Sequence, residues 1–149
     1  MRKTILIIIT ALLVAFAGTD RGVFSAPEGT FARISEAAPE KGGVKEITYE
    51  QFMKIRNLGE KFILLDVLSA DSYRQGHIQG ARSFPLEAIN RKSAEKMIPK
   101  GTPAIVYCGS FQCAASTAAA KKLGGLGYNV LDYKGGLKEW QDKGNKLVK

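Results

Sequence analysis

The stretch of residues 104–120, AIVYCGSFQCAASTAAA, constrains the fold of this chain more than any other. Ala104 to Val106 are apolar and partly β-branched, and a Gly-Thr-Pro breaker precedes them, which predicts a buried strand ending on Cys108. A tight loop follows, and the Ala-rich run from Ala114 to Leu123 predicts a helix. The free N–H groups of that helix, and the positive end of its dipole, would then point back at the loop.

This arrangement predicts a chemical role for Cys108. A thiol among backbone amides at a helix N-terminus has its anion stabilised, so we expect its pKa to fall below the free value of about 8.5. The thiolate is the nucleophilic form, and the loop would make Cys108 reactive without an adjacent histidine base. The alternative is a small buried hydrophobic residue at a strand end, which is the usual role of a free cysteine.

Length and charge limit the possible classes of protein. At 149 residues the chain is expected to form one domain. The formal net charge is +8, but the lysines are scattered and no aromatic-interleaved basic stripe accompanies them, so no nucleic-acid partner is expected. A solvated basic surface with a modest attraction for anionic substrates is the expected consequence.

The first 25 residues have the pattern of a secretory signal peptide. Arg2 and Lys3 supply the charge, and an apolar run from Ile5 to Ala17 follows, with small residues at two alternative cleavage positions. The run is short for a membrane span of about 20 residues, so membrane association is expected only through an uncleaved segment. We therefore expect export, to a bacterial periplasm, with a linker over residues 26–43 and the domain over residues 44–149.

The number and spacing of the cysteines do not fit a protein stabilised by several structural disulfides. Cys108 and Cys113 are the only two cysteines, and they lie five positions apart, so no long-range bridge can form. In an oxidising compartment, the two are either a reactive pair or a free pair.

The rest of the domain alternates between helix and strand patterns. Thr48 and Gln51 form a capping-box pattern at the start of a helix that Gly59 ends. Further strand patterns cover residues 62–67, 83–84 and 129–133. Further helix patterns cover residues 69–74, 135–140 and the run from Pro85 to just before Pro99. The alternation predicts an α/β fold with a parallel sheet covered by helices on both faces.

Two further residues stand out at the predicted site. Ligands of such sheets bind beyond the carboxyl ends of the strands, where we expect Asp66 to lie near Cys108. Asp66 is expected to brace a loop, and His77, in a Gly-His-Ile turn, to brace that turn rather than act as a base. One histidine and two cysteines are too few for a zinc site with four protein ligands, so neither a metal nor a cofactor is expected.

Three motifs, in order along the chain, resemble those of a single-domain rhodanese. They are Leu64–Leu68 with Tyr73–Ala81 and Pro85, then Val106–Cys108 before the loop, then Tyr133–Trp140. The similarity covers roughly residues 45 to 145. The resemblance implies a rhodanese-like three-layer sandwich, in which a five-stranded parallel sheet carries helices on both faces.

The resemblance also implies sulfurtransferase activity. Cys108 would take a sulfane sulfur as a persulfide and pass it to cyanide or a thiol. The cradle for that sulfur would be formed by the loop amides of Gly109, Ser110, Phe111, Gln112 and Cys113. The implied partners are a small sulfur-donor anion, a thiol acceptor and, as a further option, a protein that accepts sulfur. Neither Arg nor Lys occurs between Cys108 and Ala120, which disfavours the related phosphatase and arsenate reductase chemistry.

The sixth loop position departs from the family pattern. The family often has a basic residue or Thr there, where it helps to select the anionic donor, but this chain has Cys113. The donor is therefore left open between thiosulfate and mercaptopyruvate. Cys113 is either a resolving thiol that attacks a persulfide on Cys108, or a first-turn helix residue packed under the loop.

Three functions remain open at this point. The first is an exported sulfurtransferase that uses Cys108. The second is a sulfur-carrier or binding module with little turnover of its own. The third is a thiol–disulfide or persulfide reductase that uses Cys108 and Cys113 together.

Overall fold

The structure is a computed structural model that describes residues 42–149. The predicted signal peptide lies outside the described residues, as does the predicted linker apart from Gly42 and Gly43. Among the helices of residues 42–149, none combines the length and the apolar character that crossing a membrane requires.

The described residues form five strands, five α-helices and one 3₁₀ turn. The strands are β1 (Val44–Ile47), β2 (Ile63–Asp66), β3 (Arg82–Ser83), β4 (Ala104–Tyr107) and β5 (Val130–Tyr133). The helices are α1 (Tyr49–Asn57), α2 (Ala70–Gln75), α3 (Arg91–Met97), α4 (Ala115–Gly125) and α5 (Gly136–Asp142), and the 3₁₀ turn is Leu86–Ala88.

The sheet has the strand order β1-β5-β4-β2-β3, and every neighbouring pair is parallel. The predicted α/β fold with a five-stranded parallel sheet is therefore confirmed. No individual pattern had predicted β1, which is an edge strand of sequence VKEI with only Ile47 buried. An edge strand that is solvated along most of its length carries little hydrophobic signal.

Side chains of β4 alternate between the two faces of the sheet. Ala104 and Val106 belong to an apolar cluster with residues of α3, the 3₁₀ turn and α4, and Cys108, just past the strand, belongs to the same cluster. Ile105 and Tyr107 belong to the opposite cluster, with residues of α1 and α5. The period-two alternation thus directs the Cys108 side chain toward α4.

The structure confirms the predicted start of one helix and contradicts the predicted extent of another. The capping box of α1 is confirmed, because the Gln51 amide donates to Thr48 Oγ1 at 3.3 Å and the Thr48 amide donates to Gln51 Oε1 at 2.9 Å. A single helix from Pro85 to before Pro99 is wrong. The backbone becomes extended at Ile89, and Asn90 then starts α3 with its own capping box.

The amino end of α5 holds the start of the loop that follows β4. The amide of Leu137 donates to the Cys108 carbonyl at 3.0 Å, and the amide of Lys138 donates to the Gly109 carbonyl at 2.9 Å. Gly136 has a φ of +59°, and a Cβ atom there would lie 2.2 Å from the Cys108 carbonyl oxygen. Only glycine permits this backbone conformation and this close approach.

We predict that Gly136→Ala lowers the free energy of unfolding by about 2 kcal/mol or more, because backbone strain and overlap add together. Urea unfolding measures the change. Gly125→Ala at the end of α4 is the matched control, since no atom lies within 4 Å of a Cβ there. The control is expected to be neutral or more stable by up to about 1 kcal/mol. Equal stability of the two variants would contradict the anchoring role of Gly136.

Candidate active site

Cys108 is the first residue after β4, and its side chain is fully buried. Its Sγ atom lies 3.2 Å from the carbonyl oxygen of Cys113 and 3.5 Å from the hydroxyl oxygen of Ser116 in the first turn of α4. The thiol is therefore enclosed between the curled loop and the start of α4.

The pKa of Cys108 does not fall as the sequence predicted. Burial raises the pKa of this thiol, and a hydrogen bond to the Cys113 thiol raises it further, while the side chain and amide of Ser116 act in the opposite direction without outweighing burial. The prediction of a lowered pKa is wrong because the side chain joins the apolar cluster under the loop. Burial thus favours the protonated form of the Cys108 thiol.

The lowered pKa belongs to Cys113 instead. Burial acts to raise the pKa of the Cys113 thiol, but the hydrogen bonds from the Cys108 thiol and from the amides of Gly109 and Ala115, together with the charge of Lys134, outweigh it. The free amides at the start of α4 are thus divided between the two sulfur atoms. The Ser116 amide donates to the Cys108 sulfur, and the Ala115 amide donates to the Cys113 sulfur.

The other loop amides differ in whether they already donate a hydrogen bond. The amide of Cys113 donates to the Ser110 carbonyl at 3.0 Å, which closes a turn within the loop and removes this amide from the predicted cradle. The amides of Ser110, Phe111 and Gln112 have no acceptor within residues 42–149. These three amides are the candidates for binding an incoming anion. Phe111 lies at the tip of the loop with 59% of its surface exposed.

A network below the loop was missed by the sequence analysis. Lys134 Nζ donates to Thr117 Oγ1 at 2.6 Å, and Thr117 Oγ1 donates to Asp132 Oδ2 at 2.8 Å. Asp132 is 1% exposed, in β5, and Lys134 follows that strand. Because β5 pairs with β4, its carboxyl end adjoins Cys108. The rule that ligands bind at adjacent strand ends could have singled out Lys134.

Asp66 shares the sheet edge with Cys108 but not its face. Asp66 pairs in register with Tyr107. The alternation of β2 places its side chain on the side of Leu64, opposite the Cys108 cluster. Its Oδ1 atom accepts the Leu68 amide at 3.0 Å, and burial raises the pKa of this carboxyl group. Asp66 thus braces the turn after β2.

His77 makes contacts away from the thiol pair. Its ring stacks on Tyr73 with centroids 3.8 Å apart, and its Nδ1 atom lies 3.1 Å from the Tyr73 carbonyl oxygen. Its backbone exchanges two 2.9 Å hydrogen bonds with Val148. These contacts tie the turn before β3 to the end of the chain.

Comparisons with known proteins agree on one family. Residues 48–143 match the family described as Rhodanese-like domain. The thiosulfate sulfurtransferase PspE of Escherichia coli is 32% identical over 75 residues, which cover 50% of this chain and 70% of PspE. A putative mitochondrial thiosulfate sulfurtransferase of Schizosaccharomyces pombe is 30% identical over 118 residues, covering 67% of this chain and 82% of that protein.

A solved structure has a similar fold. The crystal structure of the BH2092 protein from Bacillus halodurans aligns with a TM-score of 0.65 and 30% sequence identity. The alignment covers 70% of this chain and 76% of that one.

We predict that iodoacetamide at neutral pH alkylates Cys113 before Cys108, because alkylation follows the thiolate and the accessible sulfur. The alkylation rate at Cys113 should rise with pH, and the midpoint of that rise should lie below the usual pKa of a cysteine thiol. Lys134→Gln should move that midpoint to higher pH by removing a nearby positive charge. Lys100→Gln is the control, since Lys100 is exposed and precedes the amino end of β4. Peptide mass mapping identifies the labelled residue, and first labelling at Cys108 would contradict the assignment.

Proposed function

The chain belongs to the rhodanese-like domain family, which includes its thiosulfate sulfurtransferase relatives, and on that basis we propose that it transfers sulfane sulfur through a persulfide on Cys108. One observation carries the proposal. Cys108 lies at the carboxyl end of the central strand β4, against the free amides that start α4. This is where an anion formed on its sulfur gains most from the helix dipole.

The thiol pair supplies the nucleophile. The pKa of Cys113 is lowered and that of Cys108 is raised, so a negative charge forms on Cys113 before it forms on Cys108, and the two thiols share a hydrogen bond. Transfer of one proton from Cys108 to Cys113 moves that charge onto Cys108. No histidine is needed for this step, and His77 makes its contacts with Tyr73 and Val148.

The transfer itself has two displacements. The Cys108 thiolate attacks the sulfane sulfur of an anionic donor such as thiosulfate, so that a sulfur–sulfur bond forms and sulfite leaves with the electron pair. An acceptor thiolate or cyanide then attacks the outer sulfur of the persulfide and restores the Cys108 thiolate. The loop amides of Ser110, Phe111 and Gln112 support the proposal, because they are free to bind the negative groups at both steps.

Charge favours small anionic donors. The chain carries a net charge of +8, and Lys134 is close enough to Cys113 to lower the pKa of that thiol. Lys134 thus supplies, from the end of β5, a positive charge beside the sixth loop position. Thiosulfate and mercaptopyruvate are both anions that such a charge attracts.

Export to a bacterial periplasm is part of the proposal, supported by the Arg2-Lys3 start and the apolar run to Ala17. Fractionation of a bacterium expressing the full chain tests it. We expect the protein in the periplasmic fraction with a mass shortened by the signal segment. Recovery of the full-length mass in the cytoplasm would contradict export.

We predict that Cys108→Ser lowers the rate of sulfur transfer to cyanide by about a thousandfold or more, because a hydroxyl group cannot carry the persulfide. Assays with thiosulfate and with mercaptopyruvate measure the rate. The variant should keep the far-ultraviolet circular dichroism of the parent, since serine is nearly the same size. Full activity in Cys108→Ser would overturn the mechanism.

The full burial of Cys108 favours a second candidate, a sulfur carrier with slow turnover. A sealed thiol reacts only when the loop opens, and release to a free small acceptor would then be slow. The two candidates differ in kinetics. A sulfurtransferase turns over many times with cyanide, whereas a carrier takes up one sulfur per chain and then stops until a protein acceptor is added.

A further inference from the structure

Cys113 lies inside the loop with Cys108, not on its outer surface. Its side chain is half-buried and packs against the apolar cluster that contains Cys108. The Cys108 Sγ atom is 3.2 Å from the Cys113 carbonyl oxygen, and the two thiols hydrogen-bond to each other. The curl of the loop therefore brings the two cysteines into contact although they lie five positions apart in the sequence.

Cys113 also occupies donors that the outer sulfur of a persulfide would use. The amides of Gly109 and Ala115 both donate to the Cys113 sulfur. A sulfur added to Cys108 would enter a loop that already contains a second thiol. The nearest nucleophile to the new sulfur–sulfur bond is then Cys113 and not an outside acceptor.

We propose that Cys113 attacks the Sγ atom of the Cys108 persulfide, forming a Cys108–Cys113 disulfide and releasing the outer sulfur as hydrosulfide. This activity reduces sulfane sulfur, and it rests on the proposed function because it needs a persulfide on Cys108.

The step balances without an added reagent. The Cys113 sulfur forms a bond with Cys108 Sγ while the bond between Sγ and the outer sulfur breaks, and the outer sulfur leaves with the electron pair. Relative to the persulfide, the outer sulfur is reduced by one electron, the Cys113 sulfur is oxidised by one, and the oxidation state of the Cys108 sulfur does not change. The persulfide and Cys113 together hold one proton, which leaves on the hydrosulfide ion. A dithiol reductant then reopens the disulfide by two thiol–disulfide exchanges and becomes a disulfide itself.

Attack on the outer sulfur is the competing reaction. It would move the sulfur from Cys108 to Cys113 without releasing anything. Only attack on Sγ releases hydrosulfide and closes a disulfide, so the products distinguish the two reactions.

The experiment is a single turnover of the reduced, desalted full chain under anaerobic conditions, with no cyanide and no thiol other than the donor itself. Thiosulfate, mercaptopyruvate and inorganic polysulfide are each added in turn. Hydrosulfide is trapped with monobromobimane, and the intact mass is measured after alkylation in denaturant. Cys113→Ser, Cys113→Ala and Cys108→Ser are treated in parallel, and circular dichroism confirms that each variant is folded.

We expect the parent chain to release one hydrosulfide per chain and to end with two fewer hydrogen atoms and no alkylated cysteine. Both Cys113 variants lack the proton acceptor of Cys108 and should therefore take up sulfur more slowly, but they should retain the added sulfur on Cys108 and release about tenfold less hydrosulfide per sulfur taken up. Cys108→Ser should neither take up sulfur nor release hydrosulfide.

Two other outcomes would overturn the inference and are distinguishable. If the parent chain keeps the added sulfur on either cysteine and releases no hydrosulfide, Cys113 does not resolve the persulfide, while the proposed sulfur transfer stands. If neither the parent chain nor the folded Cys113 variants react with any of the three donors, the proposed function itself fails and the inference fails with it.

Discussion

The carboxyl end of β4 is held between the amino ends of two helices, and the rest of the site depends on this arrangement. The first amides of α5 bind the carbonyls of Cys108 and Gly109, while the first amides of α4 reach the two cysteine sulfurs. Helix N-termini have unsatisfied N–H groups, and here both sets are used on one short loop. Gly136 makes this possible, since any side chain there would overlap the Cys108 carbonyl.

The thiol pair shows how one hydrogen bond can shift two groups in opposite directions. After burial, the contact between the thiols is the main influence on each: it raises the pKa of Cys108 and lowers that of Cys113. The outcome is set by position, because Cys108 extends from the strand into the apolar cluster, whereas Cys113 receives the Gly109 and Ala115 amides. The loop thus lowers the pKa of Cys113 and not that of the thiol at the end of β4.

Neighbouring strands contribute different parts to this edge of the sheet. β5 supplies Asp132 and then Lys134, which meet Thr117 of α4 on the same face as Cys108. β2 supplies Asp66, but on the opposite face, where it braces the Leu68 turn. Charge beside the thiols comes from β5 because that strand and β4 end in register, with Tyr107 opposite Tyr133.

Much of the fold follows from local patterns. Thr48 with Gln51, the apolar run around Leu64, and the Ala-rich segment after Cys113 each predict their element, because capping, burial and helix propensity act within a few residues. Edge strand β1 and the break at Ile89 were not predicted from local pattern, since solvated edges and single extended residues leave little periodic signal.

The sequence by itself determined that Cys108 follows a buried strand, precedes a helix and shares its loop with Cys113, because spacing along the chain is enough for that. Only the tertiary structure decided which sulfur receives which amide, and that Lys134 and Asp132 join the site. Those contacts depend on how the loop curls and on which strands lie side by side. Neither can be read from the sequence, because these contacts join residues that are distant along the chain and adjacent only in the folded protein.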